Sequence, residues 1–311
     1  MRKLRILLLL LVGLSMAYTS YGQRYKFTRK KRYWSVGGTM NVSHYLGDVT
    51  PKSNTGSFDW DKTRPSFGGF VMKRFTPRVS GRLMLSEIII AGDDANAKQN
   101  SENLGRYYRN LHFRNFITEL SAMAVIDVFK NEGVYYRRKK IPIPYLSVGV
   151  AVFHHAPQAQ DPNNGDWTNL RKLETEGESY SPISIAFPVG IGIRYKISNK
   201  MDIGVEALVR YTLTDYLDDV SGKYYNPNIS EDAYQFAFRG HEKTTADGDP
   251  RDVPDFIDIY NGGNPDYSTY QEFAESQVDI RGDPDNKDVY MSFGVFLNYI
   301  FSSGVKTPKF R

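Results

Sequence analysis

Cysteine is absent from all 311 residues. No disulfide can staple the fold, so stability must come from a large core or from lipid. Long apolar runs are missing too. Beyond the first 14 residues nothing approaches the roughly 20 consecutive apolar positions of a membrane-spanning helix, which excludes helical spans. Catalytic signatures are equally scarce, with no GxSxG, HExxH or phosphate-loop pattern. Charged residues make up only 24% of the chain and the formal net charge is +5, a modest balance that argues against nucleic acid as a partner.

What the chain has in quantity is Tyr and Phe, 40 together, and 26 Gly. That composition suits short alternating strands with rings placed at membrane interfaces. The N-terminus indicates export. Arg2, Lys3 and Arg5 precede the apolar run Ile6 to Leu14, and Ser20-Tyr21-Gly22 stands before Gln23, the layout of a secretory signal peptide over 1–22. Its loss removes three cations and leaves a net charge of about +2.

Period-2 alternation dominates the rest. Ile183, Ile185, Phe187, Val189, Ile191, Ile193, Tyr195 and Ile197 hold the odd positions, and small or polar residues hold the even ones. After a turn at Ser198-Asn199-Lys200 the pattern resumes with Met201, Ile203, Val205, Ala207, Val209, Tyr211 and Leu213, opposite Asp202, Gly204, Glu206 and Arg210. Such a strand has one apolar and one polar face. Further strands are predicted near 34–42, 66–75, 79–90, 115–128, 144–154 and 289–301, which makes eight.

Connections alternate in length. The short ones are Thr76-Pro77, the basic segment near 130–142, and 198–200; the long ones are 48–64, 91–113, 155–181 and 215–287. Short turns inside and long loops outside mark outer-membrane barrels. The reading is therefore an all-β, eight-stranded antiparallel transmembrane β-barrel of the outer membrane. A basic periplasmic segment (23–32) precedes the barrel (33–301), whose long extracellular segment is 215–287, and a periplasmic tail (302–311) follows. Both termini are placed in the periplasm.

An eight-stranded lumen is just wide enough for its own side chains. Arg82, Glu87, Glu119, Arg194, Glu206 and Arg210 are expected to pair within it, with Arg194 and Glu119 as partners for Glu206 and Arg210. Within 226–287, aromatics such as Tyr234, Phe236 and Phe273 predict a folded cap, with Ser268 capping a helix to about 277.

No constellation carries catalysis. His154 and His155 are adjacent on a strand, as are Ser43 and His44, so each pair diverges to opposite faces. Asp247, Asp249, Asp252, Asp255, Asp283, Asp285 and Asp288 offer oxygen ligands at short spacing but lack the twelve-residue calcium-loop arrangement, and a solvated acidic loop is the simpler reading. Arg281-Gly282-Asp283 spells an adhesion tripeptide by chance in an Asp-rich stretch. No enzyme and no cofactor is expected.

Charge polarity is more informative. Arg24, Lys26, Arg29, Lys30, Lys31 and Arg32 precede the first strand, Arg137, Arg138, Lys139 and Lys140 fill one turn, and the tail holds Lys306, Lys309 and Arg311. Residues 215–288 carry 18 Asp and Glu against six Lys and Arg. A basic rim formed by Arg29 to Arg32 and Arg137 to Lys140 suits either anionic lipid headgroups or a periplasmic docking partner.

Five motifs then occur in order: Tyr45-Leu46-Gly47-Asp48, Gly92-Asp93-Asp94, Arg109-Asn110-Leu111-His112-Phe113-Arg114, Thr175-Glu176-Gly177, and Asp215 to Gly222. Together they resemble the PorG-like outer-membrane barrels of Bacteroidetes type IX secretion systems, over nearly the whole mature chain except about 226–287. The resemblance implies a non-enzymatic secretion component that links a periplasmic ring, built from a lipoprotein and its partner protein, to the outer membrane. Two other classes remain: an adhesion or structural barrel acting through its acidic loop, and a small-barrel lipid hydrolase.

Overall fold

A computed structural model describes residues 27, 31–50, 60–95, 97, 104–222, 231–240 and 281–301. The signal peptide, Arg29, Lys30, the helix predicted from Ser268 and the tail from 302 lie outside these residues. The strands are β1 (Trp34–Leu46), β2 (Arg64–Arg74), β3 (Val79–Asp93), β4 (His112–Asp127), β5 (Ile143–His154), β6 (Pro157–Gln160), β7 (Trp167–Asn169), β8 (Ile183–Lys196), β9 (Met201–Thr212) and β10 (Val289–Ile300).

Eight of them form the wall, each antiparallel to its neighbours, and β10 pairs with β1 to close it. β6 and β7 form a short ribbon that extends β4 beyond the wall. Closure leaves none of the eight wall strands with a free edge, which a backbone in lipid requires. One row of paired residues runs from Ile183 through His154, Thr118, Glu87, Phe67, Met40, Val295 and Val205, and returns to β8 at Ile193. The ten-residue displacement between Ile183 and Ile193 is the shear of the barrel. At about 3.3 Å per residue and about 4.7 Å per strand it implies a strand tilt of roughly 40°.

Apolar side chains face outward. Ile191, Phe293 and Met40 are each about 60% exposed, while Arg194, Glu206 and Arg210 on the alternate positions are buried. This inverts the soluble arrangement and provides a lipid-facing belt. Replacing Ile191, Val205 or Phe293 by Arg should cost roughly 2–4 kcal/mol near the midplane, measured by denaturant unfolding from lipid vesicles. Larger residues at Gly190 or Gly204 should fail by a different route. A Cβ there would stand 2.4 Å from Leu208 or from Phe296, respectively, so the interior is overfilled.

The interior is filled in two apolar clusters, one around Phe70, Met84, Met123, Tyr145 and Phe296, the other around Tyr45, Ile88, Ile117, Phe153 and Tyr290. The turns at 75–78, 128–142 and 197–200 share one end with both ends of the wall, where Phe301 N–H donates to the Trp34 carbonyl at 2.9 Å. The long connections share the other end. Glu87 corrects the sequence reading: it faces outward and accepts a 3.0 Å hydrogen bond from Thr118 Oγ1 instead of entering the lumen.

Candidate functional site

The inward faces of the strands build a ladder of ion pairs. Asp202, Glu206 and Arg210 recur every fourth residue along β9 and so share one face. Nearest the turns, Arg138 donates to Asp202 at 2.7 Å. Above it Asp127 receives Arg74 at 3.0 Å and a short bond from Arg194. Arg82 then grips Glu206 through both oxygens at 2.8 and 2.9 Å. Highest, Arg210 meets Glu119 at 2.7 Å and Ser292 at 2.8 Å, and Tyr290 donates to Glu119 at 2.7 Å. Bidentate and charge-assisted pairs of this kind hold strands in register where no water competes. Arg194 does not partner Glu206 as expected, because Asp127 is within its reach and Arg82 already occupies Glu206.

At the loop end the five motifs converge. Arg109 donates to Asp94 at 2.7 Å and to the carbonyls of Asp48 and Arg281 at 2.6 and 2.5 Å. Arg281 donates to Glu176 at 2.8 Å, and Glu176 accepts the backbone N–H groups of Ser221 and Gly222 at 3.0 and 2.8 Å. Asp219 takes the hydroxyls of Thr175 and Tyr180, and Asp48 accepts from the Asp283 N–H at 2.9 Å. Buried carboxyls here sit where water cannot solvate the anion, so desolvation raises the pKa of Asp94 despite Arg109 beside it. The same effect pushes Asp219 up to about 6. The motifs are thus a buried polar cap that ties four loops across the mouth.

Neither Ser43-His44 nor His154-His155 forms a working pair among the described residues, and Asp247, Asp249, Asp252 and Asp255 lie outside them. Ser43 Oγ donates to backbone carbonyls, 3.0 Å from that of Arg64, and contacts no base. His154 faces outward while His155 is buried against Tyr180, with Nε2 3.1 Å from the Ser181 carbonyl. Burial holds the His155 imidazole neutral, its pKa lowered to about 4. Phe236 joins Ala159 and Leu170 in a small cluster under the ribbon, so part of the long segment packs down on the other loops. The other aromatics predicted to form a cap beyond residue 240 lie outside the described residues.

The rim at the turn end needs one correction. Arg137, Lys139 and Lys140 are exposed, but Arg138 turns inward and is buried in the ladder against Asp202. It cannot serve a docking partner. Lys31 is half-buried and Arg32 exposed beside the same end.

A closed antiparallel wall with an apolar exterior and an ion-paired interior defines a transmembrane β-barrel of the outer-membrane type. The chain belongs to the family described as a domain of unknown function (DUF6089), matched over residues 25–237. No curated protein matches it. Among solved structures it is similar to the outer-membrane protein OprG of Pseudomonas aeruginosa, at 8% identity and TM-score 0.37, over 89% of this chain and 99% of that one. It is likewise similar to the attachment invasion locus protein Ail of Yersinia pestis, at 8% identity and TM-score 0.36, over 87% and 99%. Neisserial surface protein A matches at 9% identity and TM-score 0.35, over 86% and 97%.

Proposed function

We propose that this barrel is a non-enzymatic component of a type IX class secretion machine, with its turn end in the periplasm, where it anchors a ring of lipoprotein and partner protein to the outer membrane. The observation that carries the reading is the charge of the turn end. Among the described residues Arg32, Arg78, Lys130, Arg137, Lys139, Lys140 and Lys200 are exposed there, against Glu132 as the exposed acid. The interior ladder makes the barrel a filled cylinder, so work is done at its ends. A charged rim spread around a circumference fits a broad, repeated surface better than a single pocket, and it steers encounter with an acidic partner. The sequence motifs that resemble secretion barrels fit the same role, because they build the cap that fixes the loop end.

A tagged copy purified from detergent-solubilised membranes should bring the ring lipoprotein with it. The alternative is an adhesion barrel working through the acidic segment 215–288. Recovery of a surface ligand without any ring protein would support that reading and contradict ours.

A further inference from the structure

Tyr45, Asp218 and Asp288 meet at the mouth, from the end of β1, the loop after β9 and the residue before β10. Tyr45 Oη lies 2.6 Å from Asp218 Oδ2 and 2.5 Å from Asp288 Oδ1. Each of these short oxygen–oxygen contacts requires one proton, and a tyrosine hydroxyl owns only one. The Asp48 N–H also points at Tyr45 Oη, at 3.1 Å, and occupies an acceptor site there. The second proton must therefore sit on a carboxyl. Asp218 accepts backbone N–H groups on both oxygens, from Val49 at 2.9 Å and Val220 at 3.0 Å. Asp288 accepts the Leu217 N–H on Oδ2 at 2.8 Å, which leaves Oδ1 to bear a proton.

We infer that Asp288 is a neutral carboxylic acid that donates to Tyr45 Oη while Tyr45 donates to the Asp218 carboxylate, and that this relay is a proton-controlled latch on the barrel mouth. The other charged groups around it are Asp48, Asp215 and Arg109. Of these only Arg109 is a cation, and it is bound to Asp94. Burial first, and the Asp218 charge second, hold the Asp288 carboxyl well above its ordinary range. The latch is closed with the proton in place. As pH rises through the raised pKa the proton leaves to solvent, two carboxylates face one hydroxyl, and the three segments are pushed apart. Gly47 belongs to the device, because a Cβ there would stand 1.9 Å from Tyr45 Oη.

The test uses the intact protein in lipid vesicles. Infrared spectra in heavy water at neutral pH should show the carbonyl band of a protonated carboxyl, and the wild-type minus D288N difference should assign it. D288N places an amide N–H where the acid proton was and a carbonyl where Leu217 donates, so it should melt like wild type at neutral pH. Wild type should melt lower as pH rises into the alkaline range, and D288N should lose that fall. D218N turns an amide N–H toward groups that donate, and it should melt lower at all pH values. A wild-type spectrum without the band, a band that survives D288N, or equal melting losses in D288N and D218N would each overturn the latch.

Discussion

Arg210→Met alone is expected to cost about 3–5 kcal/mol of barrel stability, the range for breaking a buried pair from one side. Glu119 would be left fully buried with only the Tyr290 hydroxyl, and Ser292 would lose its donor. Glu119→Leu alone should be similarly damaging, because it strands the guanidinium. The double variant removes both charges and should recover most of the loss, since two apolar residues of similar volume leave no ion to solvate. Denaturant unfolding from vesicles at several lipid thicknesses reads all three. Additive losses in the double variant would mean that the ladder contributes by shape and not by charge.

Arg109→Met should have an effect of the same size, but at the mouth. The side chain holds Asp94, the Asp48 carbonyl and the Arg281 carbonyl at once. Its removal leaves a buried Asp94 carboxyl without its cation, costing about 3–5 kcal/mol of local cap stability. The pH dependence has a definite sign. Asp94 already titrates above its unfolded value, and loss of Arg109 raises it further. A carboxyl with a raised folded pKa is favoured by acid, so the variant's deficit should shrink as pH falls toward the ordinary carboxylate range and grow as pH rises. Protease cleavage of loop segments as a function of pH measures this, with the wall strands as the uncut reference.

Much of this wall was legible from residue parity. β8 alternates throughout and β9 departs only at Leu208, an apolar side chain packed inside the barrel, so their lipid and lumen faces could be assigned from sequence. β2 was weaker because Gly68 and Gly69 supply no side chains to read and Lys73-Arg74 puts adjacent cations on opposite faces. Parity reaches further than these two strands. Asp127 shares parity with Glu119 on β4, and Asp202 with Glu206 on β9, so both belonged among the lumen acids. Glu87 lies five residues from Arg82 on one unbulged strand and has to face the other way. The cap was legible only as motifs. Tyr45 meets Asp288 across 243 residues, and no local periodicity records a contact between loops. Arg138 was hidden for a similar reason: four cations in a row look alike until the short helical turn Tyr135–Arg137 aims one of them inward.

The exposed cations of the turn end carry the central claim, and reversing them tests it most directly. Each surface contact is worth only about 0.2–1 kcal/mol, so Arg32, Arg137, Lys139 and Lys140 should be changed to Glu together. Arg138 is left alone, because its loss would strand Asp202 in the interior and confound partner binding with folding. Barrel insertion should survive, since the wall is untouched. Recovery of the ring lipoprotein with the purified barrel should fall several-fold, and what remains should be lost at lower salt than wild type because fewer attractive contacts resist screening. Undiminished recovery in moderate salt would contradict the account and leave the rim as a reader of lipid charge.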